Sequence, residues 1–214
     1  MGARLAAHPL RSAPMTGVRK ATTADVPQLS RSLAAAFDDD PIMEWMLPRT
    51  LRNRSERHRR FHELALRKLH LPHGEVWTTD GLEAGAEWDP PNQWRLGPVG
   101  QLRVLPAFIR TLGGRLGPVL QGLTMIEKHH PKEPHYYLGI LGTDPAHQGK
   151  GLGSAVLQPV LDICDAEGMP AYLESSKESN IPFYNRHGFE VTTTLHMPKG
   201  PPLWPMWRDP KPPA

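Results

Sequence analysis

Gln148-Gly149-Lys150-Gly151-Leu152-Gly153 lies between a run that alternates like a strand and a long apolar helix, and its residue types suit anion binding. Glycines let the backbone approach a phosphate closely. Amides at the start of a helix then point at it, and the helix dipole adds to the attraction. The preceding run, residues 135–143 (HYYLGILGT), is the strongest strand signal in the chain. Residues 151–166 give the strongest helix signal, with Pro159 expected to bend it and Gly168-Met169-Pro170 closing it. Two other phosphate loops are excluded by the residues present. A Walker A loop needs Gly at 144 and Ser or Thr at 151, where Asp144 and Gly151 stand. A dinucleotide fingerprint can be laid on Gly149, Gly151 and Ser154, with Glu174 twenty residues on. Its glycine turn follows the strand at once, however, and here residues 144–148 intervene.

Three further motifs follow downstream: Tyr172-Leu-Glu-Ser175, Asn180-Ile-Pro-Phe-Tyr184 and Arg186-His-Gly-Phe189. The loop pattern Q/R-x-x-G-x-G/A after a strand, with Asn and Tyr four residues apart before Gly-Phe, resembles the two signatures of the GNAT family of N-acetyltransferases. Residues 129–208 also resemble the branch of that family that acetylates aminonucleosides such as puromycin. Pro131-Lys-Glu-Pro134, residues 147–155 and Pro182-Phe-Tyr184 carry that likeness. Weaker similarity reaches back to Arg19-Lys-Ala-Thr22 and Leu33-Ala-Ala-Ala-Phe37, while residues 75–128 diverge. The likeness therefore bears on the reaction more than on the acceptor.

The resemblance implies an α/β fold: a central, largely antiparallel sheet, splayed at an acetyl-CoA site, with helices on both faces. It assigns backbone groups of Leu141 and Thr143 to pantetheine. The amides of Gln148, Gly149, Lys150, Gly151, Leu152, Gly153 and Ser154 go to the pyrophosphate, and Asn180 joins the cofactor contacts. An amine then attacks the thioester directly, a backbone N–H near Leu141 or Gly142 stabilises the oxyanion, and Tyr184 protonates the departing thiolate. The strand at 136–143 holds no carboxylate, so Glu174, ending the next strand, is the candidate base. A structural carboxylate and a water base stand beside that reading.

Other residues invite chemistry and are read more plainly. His58/His62 and His129-His130 with His135 suggest metal, but no HExxH or cysteine pair supports it, and none is expected. Ser175-Ser176 lacks the elbow of a hydrolase. Asp38, Asp39, Asp40 and Glu44 are either a lure for a cationic amine or a solvated helix end, the reading preferred. Arg52, Arg54, Arg57, Arg59, Arg60, Arg67 and Lys68 surround a stripe of Phe61, Leu64, Ala65 and Leu69. A solvated basic face is expected there, not a nucleic-acid site. Trp204 and Trp207 are expected to pack on the sheet.

The elements that must position these groups read as one domain over residues 15–210, between tails at 1–14 and 211–214; Met15 is an alternative start. Among 214 residues, 39% are hydrophobic and 22% charged, and no apolar run approaches a membrane span. A net charge of +3 does not argue for nucleic acid. The single cysteine, Cys164, sits in an apolar helical stretch and suits a reducing, cytoplasmic setting. A short strand at 18–22 should lead to a helix capped by Thr22 or Thr23, with Asp25 in its first turn and Val26, Leu29, Leu33 and Phe37 as its stripe. Asp38-Asp39-Asp40-Pro41 stops it. Residues 75–79 and 82–88 read as a hairpin across Asp80-Gly81. Residues 101–126 look helical, with breaks at Gly113-Gly114 and Gly117-Pro118. A strand at 171–175, a short helix at 181–187, a Thr-rich strand at 189–195 and a last strand at 203–207 complete the order. Pro205 suggests that the last one is an edge or carries a bulge. The expected activity is acetyl transfer to a primary amine of a small molecule, by a monomer or homodimer. A non-catalytic acyl-CoA sensor, which has no need of Tyr184, and a nucleic-acid module on the basic helix are the rivals.

Overall fold

Apolar residues alternating along the strands decide which way each strand faces, and in this computed structural model, which describes residues 17–212, they join into one sheet. The tail expected at 1–14, Met15 and the last two residues of the one at 211–214 lie outside the described residues. In chain order the elements are β1 (Val18–Lys20), α1 (Val26–Ala36), α2 (Pro41–Met46), α3 (Arg54–Leu64), β2 (Val76–Thr79), β3 (Ala84–Asp89), α4 (Pro98–Leu112) and α5 (Leu116–His129). Then come β4 (Tyr136–Thr143), α6 (Leu152–Glu167), β5 (Ala171–Ser175), α7 (Ile181–Arg186), β6 (Glu190–Val191), β7 (Leu195–His196) and β8 (Pro202–Arg208). The strand order is β1-β2-β3-β4-β5-β8-β6, with β7 beside β8. β4 and β5 run parallel, joined through α6, and the other pairs are antiparallel.

Each face buries its own cluster. Ala84, Ala86, Trp88, Tyr136, Leu138 and Leu173 pack against Val156, Leu157, Val160 and Leu161 of α6. On the other face, Val26, Leu29 and Leu33 of α1 join Leu66 and Val76. Gly85 and Gly142 face each other across β3 and β4 on the α1 side. A Cβ on Gly142 would lie 3.0 Å from Leu33, Ala36 and Phe37, and one on Gly85 would lie 3.0 Å from Leu29. The paired glycines let α1 settle onto the sheet just where β4 approaches the glycine loop.

The structure corrects several expectations. Asp25 is the residue before α1 and no threonine caps that helix; its carboxylate instead accepts both Arg19 guanidinium nitrogens at 2.8 Å and the Thr22 amide and hydroxyl. The buried stripe of α3 and the π-helical turn after it (Ala65–His70) is Arg54, His58, His62, Ala65, Leu66 and His70, while Phe61, Leu64 and Leu69 are only half-buried. Gly117-Pro118 falls in the first turn of α5, where proline lacks no needed N–H, and does not break it. Pro159 lies inside α6, which runs on to Glu167. The Thr-rich strand shrinks to two two-residue strands, β6 and β7. β8 lies between β5 and β6, and Pro205 falls just past the last β6–β8 pair, Val191↔Met206, where a missing N–H costs no ladder bond. No helix among the described residues is long and apolar enough to cross a membrane.

Candidate active site

A gap in the sheet forms the site. β4 pairs with β5 only from Tyr136↔Ala171 to Leu138↔Leu173. On its other side β4 stays paired with β3 as far as Ala84↔Thr143, and β5 continues along β8 to Ser175↔Trp204. From Gly139 onward, then, one edge of β4 has no neighbour strand. The N–H of Asp144 donates to Glu83 O on the β3 side. Because successive residues of a strand turn their backbone groups to opposite sides, Thr143 and Leu141 direct theirs into the gap. The Gln148 side-chain amide donates to Thr143 O at 3.1 Å. Both polar groups of Leu141 and the N–H of Thr143 remain for a ligand.

The glycine loop closes one end of the gap. Asp144 accepts the Ala146 N–H at 2.9 Å and starts a tight turn, Pro145–His147. Gly149 and Gly151 then take φ of 75° and 78°, the left-handed region that favours glycine. A Cβ on either would meet no protein atom within 4 Å, so both backbones front open space. The first intrahelical bond runs from Ala155 N–H to Gly151 O, which leaves the Leu152, Gly153 and Ser154 amides as unpaired first-turn donors at the N-terminus of a 16-residue helix. Ser154 Oγ lies 2.9 Å from His187 Nε2 and ties the loop to the segment after α7.

The gap and the loop share one cleft of about 570 Å³. Leu141, Gly142, Thr143, Gln148, Gly149, Gly151, Leu152, Gly153, Ser154, Asn180 and Tyr184 all line it. Lys150, exposed on the loop, and Glu174 do not. An extended strand edge ending in free helix-start amides fits an amide-bearing chain that ends in a pyrophosphate.

Tyr184 projects from α7 into this cleft and is 8% exposed; burial first, and the charge of Asp40 second, push its hydroxyl pKa above the ordinary tyrosine value. Asp40 itself is fully engaged. It caps α2 by accepting the Ile42 and Met43 amides at 2.9 and 3.0 Å, its other oxygen accepts the Ser176 hydroxyl, and burial raises its pKa. Beside it, Lys177 reaches Asp39 at 2.6 Å and holds that carboxyl below its usual range. Asp38 binds Arg54. Asp38, Asp39 and Glu44 are solvent-exposed, as a solvated helix end requires, each paired with a basic side chain, while Asp40 is buried. Asp39 and Asp40 strap the β5–α7 segment, which carries Tyr184, to the turn after α1. Sequence reading missed this role, although Asp40 before Pro41 is an N-cap signature.

Glu174 stands one residue past the last β4–β5 pair, at the root of the gap. Tyr137 donates to its Oε2 at 2.8 Å; its Oε1 is buried without a hydrogen bond, 3.7 Å from His130 Nδ1. His58 and His62 pack with tilted rings within α3, centroids 5.1 Å apart, and burial lowers both pKa values, that of His58 to about 4. Cys164 is a buried free thiol pushed up to about 12 by desolvation, in keeping with a packing role.

The profile of the Acetyltransferase (GNAT) family matches residues 70–189. An uncharacterized N-acetyltransferase of Schizosaccharomyces pombe is 30% identical over 123 residues, 56% of this chain and 46% of that protein. The chain spans less than half the length of the curated relatives it matches. The crystal structure of histone acetyltransferase HPA2 and related acetyltransferase from Corynebacterium glutamicum aligns with a TM-score of 0.72 at 26% identity, over 93% of this chain and 98% of that one. The Drosophila melanogaster polyamine N-acetyltransferase aligns at 0.63 and 15% identity, over 90% and 99%, and shares the fold. With more than half of its length under the family profile and a splayed sheet opening onto a glycine loop, the chain belongs to the GNAT acetyltransferase family.

Proposed function

We propose that this protein transfers the acetyl group of acetyl-CoA to a primary amine of a small molecule by direct attack. The observation that carries the reading is the joining of three features in one cleft: the unpaired edge of β4, the open amides of the glycine loop, and Tyr184. Acetyl-CoA supplies an acetyl group already activated as a thioester. The Leu141 carbonyl and the Thr143 N–H hold the amides of its arm, and the amides from Gln148 to Ser154 hold its pyrophosphate. The Leu141 N–H, facing the gap, donates to the acetyl oxygen as charge develops there. Glu174, set back from the cleft at the root of the gap, takes by way of one water the proton that the amine must lose, and Tyr184 gives one to the sulfur.

Similarity over residues 129–208 makes an aminonucleoside such as puromycin the first acceptor to try. The small-amine acetyltransferases that share the fold make polyamines and agmatine the next. Pocket differences of one or two apolar groups shift discrimination by about 1–3 kcal/mol, so the acceptor can change while the chemistry stays. A single buried thiol, Cys164, supports placing the enzyme in the reducing cytoplasm. The test is steady-state thiol release with a panel of amines, and mass spectrometry for one added acetyl group on the amine. Turnover of any primary amine supports the reading. Tight acetyl-CoA binding with silence across the panel would replace it with a sensor that holds acetyl-CoA without reacting.

A further inference from the structure

The unpartnered oxygen of Glu174 faces a histidine whose proton placement is dictated by its neighbours. His135 Nδ1 lies 2.6 Å from Glu133 O, a pure acceptor, so Nδ1 carries the proton and Nε2 of the neutral ring is a lone pair. His130 Nε2 lies 3.0 Å from that lone pair and must therefore be the donor. A neutral His130 then has its own lone pair on Nδ1, and Nδ1 is the atom 3.7 Å from Glu174 Oε1. Two acceptors confront each other, and the Tyr172 hydroxyl, which has no other partner, borders the same carboxylate. Both side chains are walled in, His130 1% and Glu174 6% exposed. Trp94 stacks on the outer face of His130 at 3.6 Å between centroids, and Tyr137 and Tyr172 contact its edge.

Resting on the acetyl-transfer reading above, we propose that Glu174 and His130 form a one-proton slot that holds the proton lost by the acceptor amine, with His130 as the positioning residue behind Glu174. As the C–N bond forms and the C–S bond breaks, the nitrogen's proton passes by way of one water to the slot, which lies behind the cleft, and the sulfur takes the hydroxyl proton of Tyr184. One proton enters the protein and one leaves it. The other charged groups near His130 lie outward of it: Arg95 paired with Glu127, then Lys128 and Lys132, around a second cleft of about 630 Å³. From the sheet, Tyr137, Tyr172 and Glu174 face it, and His135 sits at its far nitrogen.

A proton in the slot is bound by imidazole and carboxylate together, where Glu174 without His130 binds it alone. For the best amine substrate, kcat/KM of the full chain should therefore lose activity on the acid side at higher pH than the His130→Phe variant does. The acid limb is expected to move to lower pH in that variant, with acetyl-CoA affinity unchanged, because the phenyl ring keeps the stack on Trp94. A uniform fall in rate with an unmoved limb would mean that His130 only packs, and would overturn the proposal. Nitrogen-15 NMR of the wild-type chain reads the slot without turnover or mutation. The neutral ring of His130 should carry its proton on Nε2. A proton on Nδ1 would show an ordinary hydrogen bond in place of an open slot and sink the idea. Silence toward every amine, with the expected tautomer, overturns acetyl transfer and the slot's role in it together.

Discussion

A tyrosine hydroxyl can serve as a proton donor only while it carries its proton, and burial beside Asp40 holds the proton of Tyr184 firmly at neutral pH. Donation to the thiolate is then a matter of position, which the α7 backbone sets, together with the strap from Asp39 and Asp40. Removing the hydroxyl alone isolates this step. Tyr184→Phe should lower turnover by about 10²–10⁴-fold, the usual worth of general-acid catalysis, and change acetyl-CoA binding little because the ring stays. Single-turnover rates are the measurement to make, since slow product release cannot mask them; an unchanged rate would remove Tyr184 as the acid. At this scale the sequence exposes residues whose role depends on near neighbours. Asn180 and Tyr184 share a local motif and one cleft wall. It hides roles set by distant partners: nothing local in Tyr172-Leu-Glu-Ser175 announces that Glu174 meets Tyr137 and His130, because those contacts arise from strand pairing and from the turn that follows α5.

Between residue and molecule, the loop and helix α6 act as one element, and a backbone change there tests the cradle without touching the chemistry. A ligand that binds only the folded state at about 100 times its dissociation constant adds about 2.7 kcal/mol of stability. Acetyl-CoA should raise the melting temperature of the wild-type chain accordingly. In Gly151→Val a branched side chain would sit at φ 78° and project into the open space before the loop, so the shift should vanish when the variant is compared with and without ligand. A full shift in that variant would place the pyrophosphate elsewhere. β4, α6 and β5 were legible because long apolar periodicity bounded by Gly, Pro and Asp is a strong local signal, and the chain obeys it there. The Thr-rich run after Phe189 was misread because ladder pairing depends on the partner. The β6–β8 ladder ends at Val191↔Met206, and Thr192 then bonds to Pro205, which has no N–H to return. The face of α3 was misread because histidine counts as polar in any periodicity, yet His58, His62 and His70 form much of the stripe that is buried.

Across the molecule, the sheet face that bears Glu174 carries a second buried group whose charge state bears on the stability of the whole fold. Glu87, on β3, is fully buried with both carboxylate oxygens lacking a hydrogen bond; His70 Nε2 is 3.6 Å away. Desolvation pushes its pKa up to about 8, against the pull of His70 and with a smaller push from Asp89. For His70, burial works against the proton, but the 2.9 Å bond to Asp89 and the charges of Asp89 and Glu87 outweigh it, and its pKa is raised. A pKa raised on folding means that the folded state holds the proton more tightly than the unfolded one. The stabilising contribution is fully present below the unfolded value and is lost as pH rises through the folded one. For Glu87 that window runs from about pH 4.5 to about 8, and His70 changes in the same direction. Glu87→Gln keeps the size of the side chain and cannot ionise. Its urea midpoint should gain on that of the wild-type chain as pH rises from 5 to 8. Parallel midpoints over that range would show that Glu87 is already ionised in the folded chain, with His70 as its charged partner. A variant that is ahead by pH 8 would show that Glu87 stays protonated in the folded chain, leaving Asp89 as the carboxylate that pairs with His70 on this face.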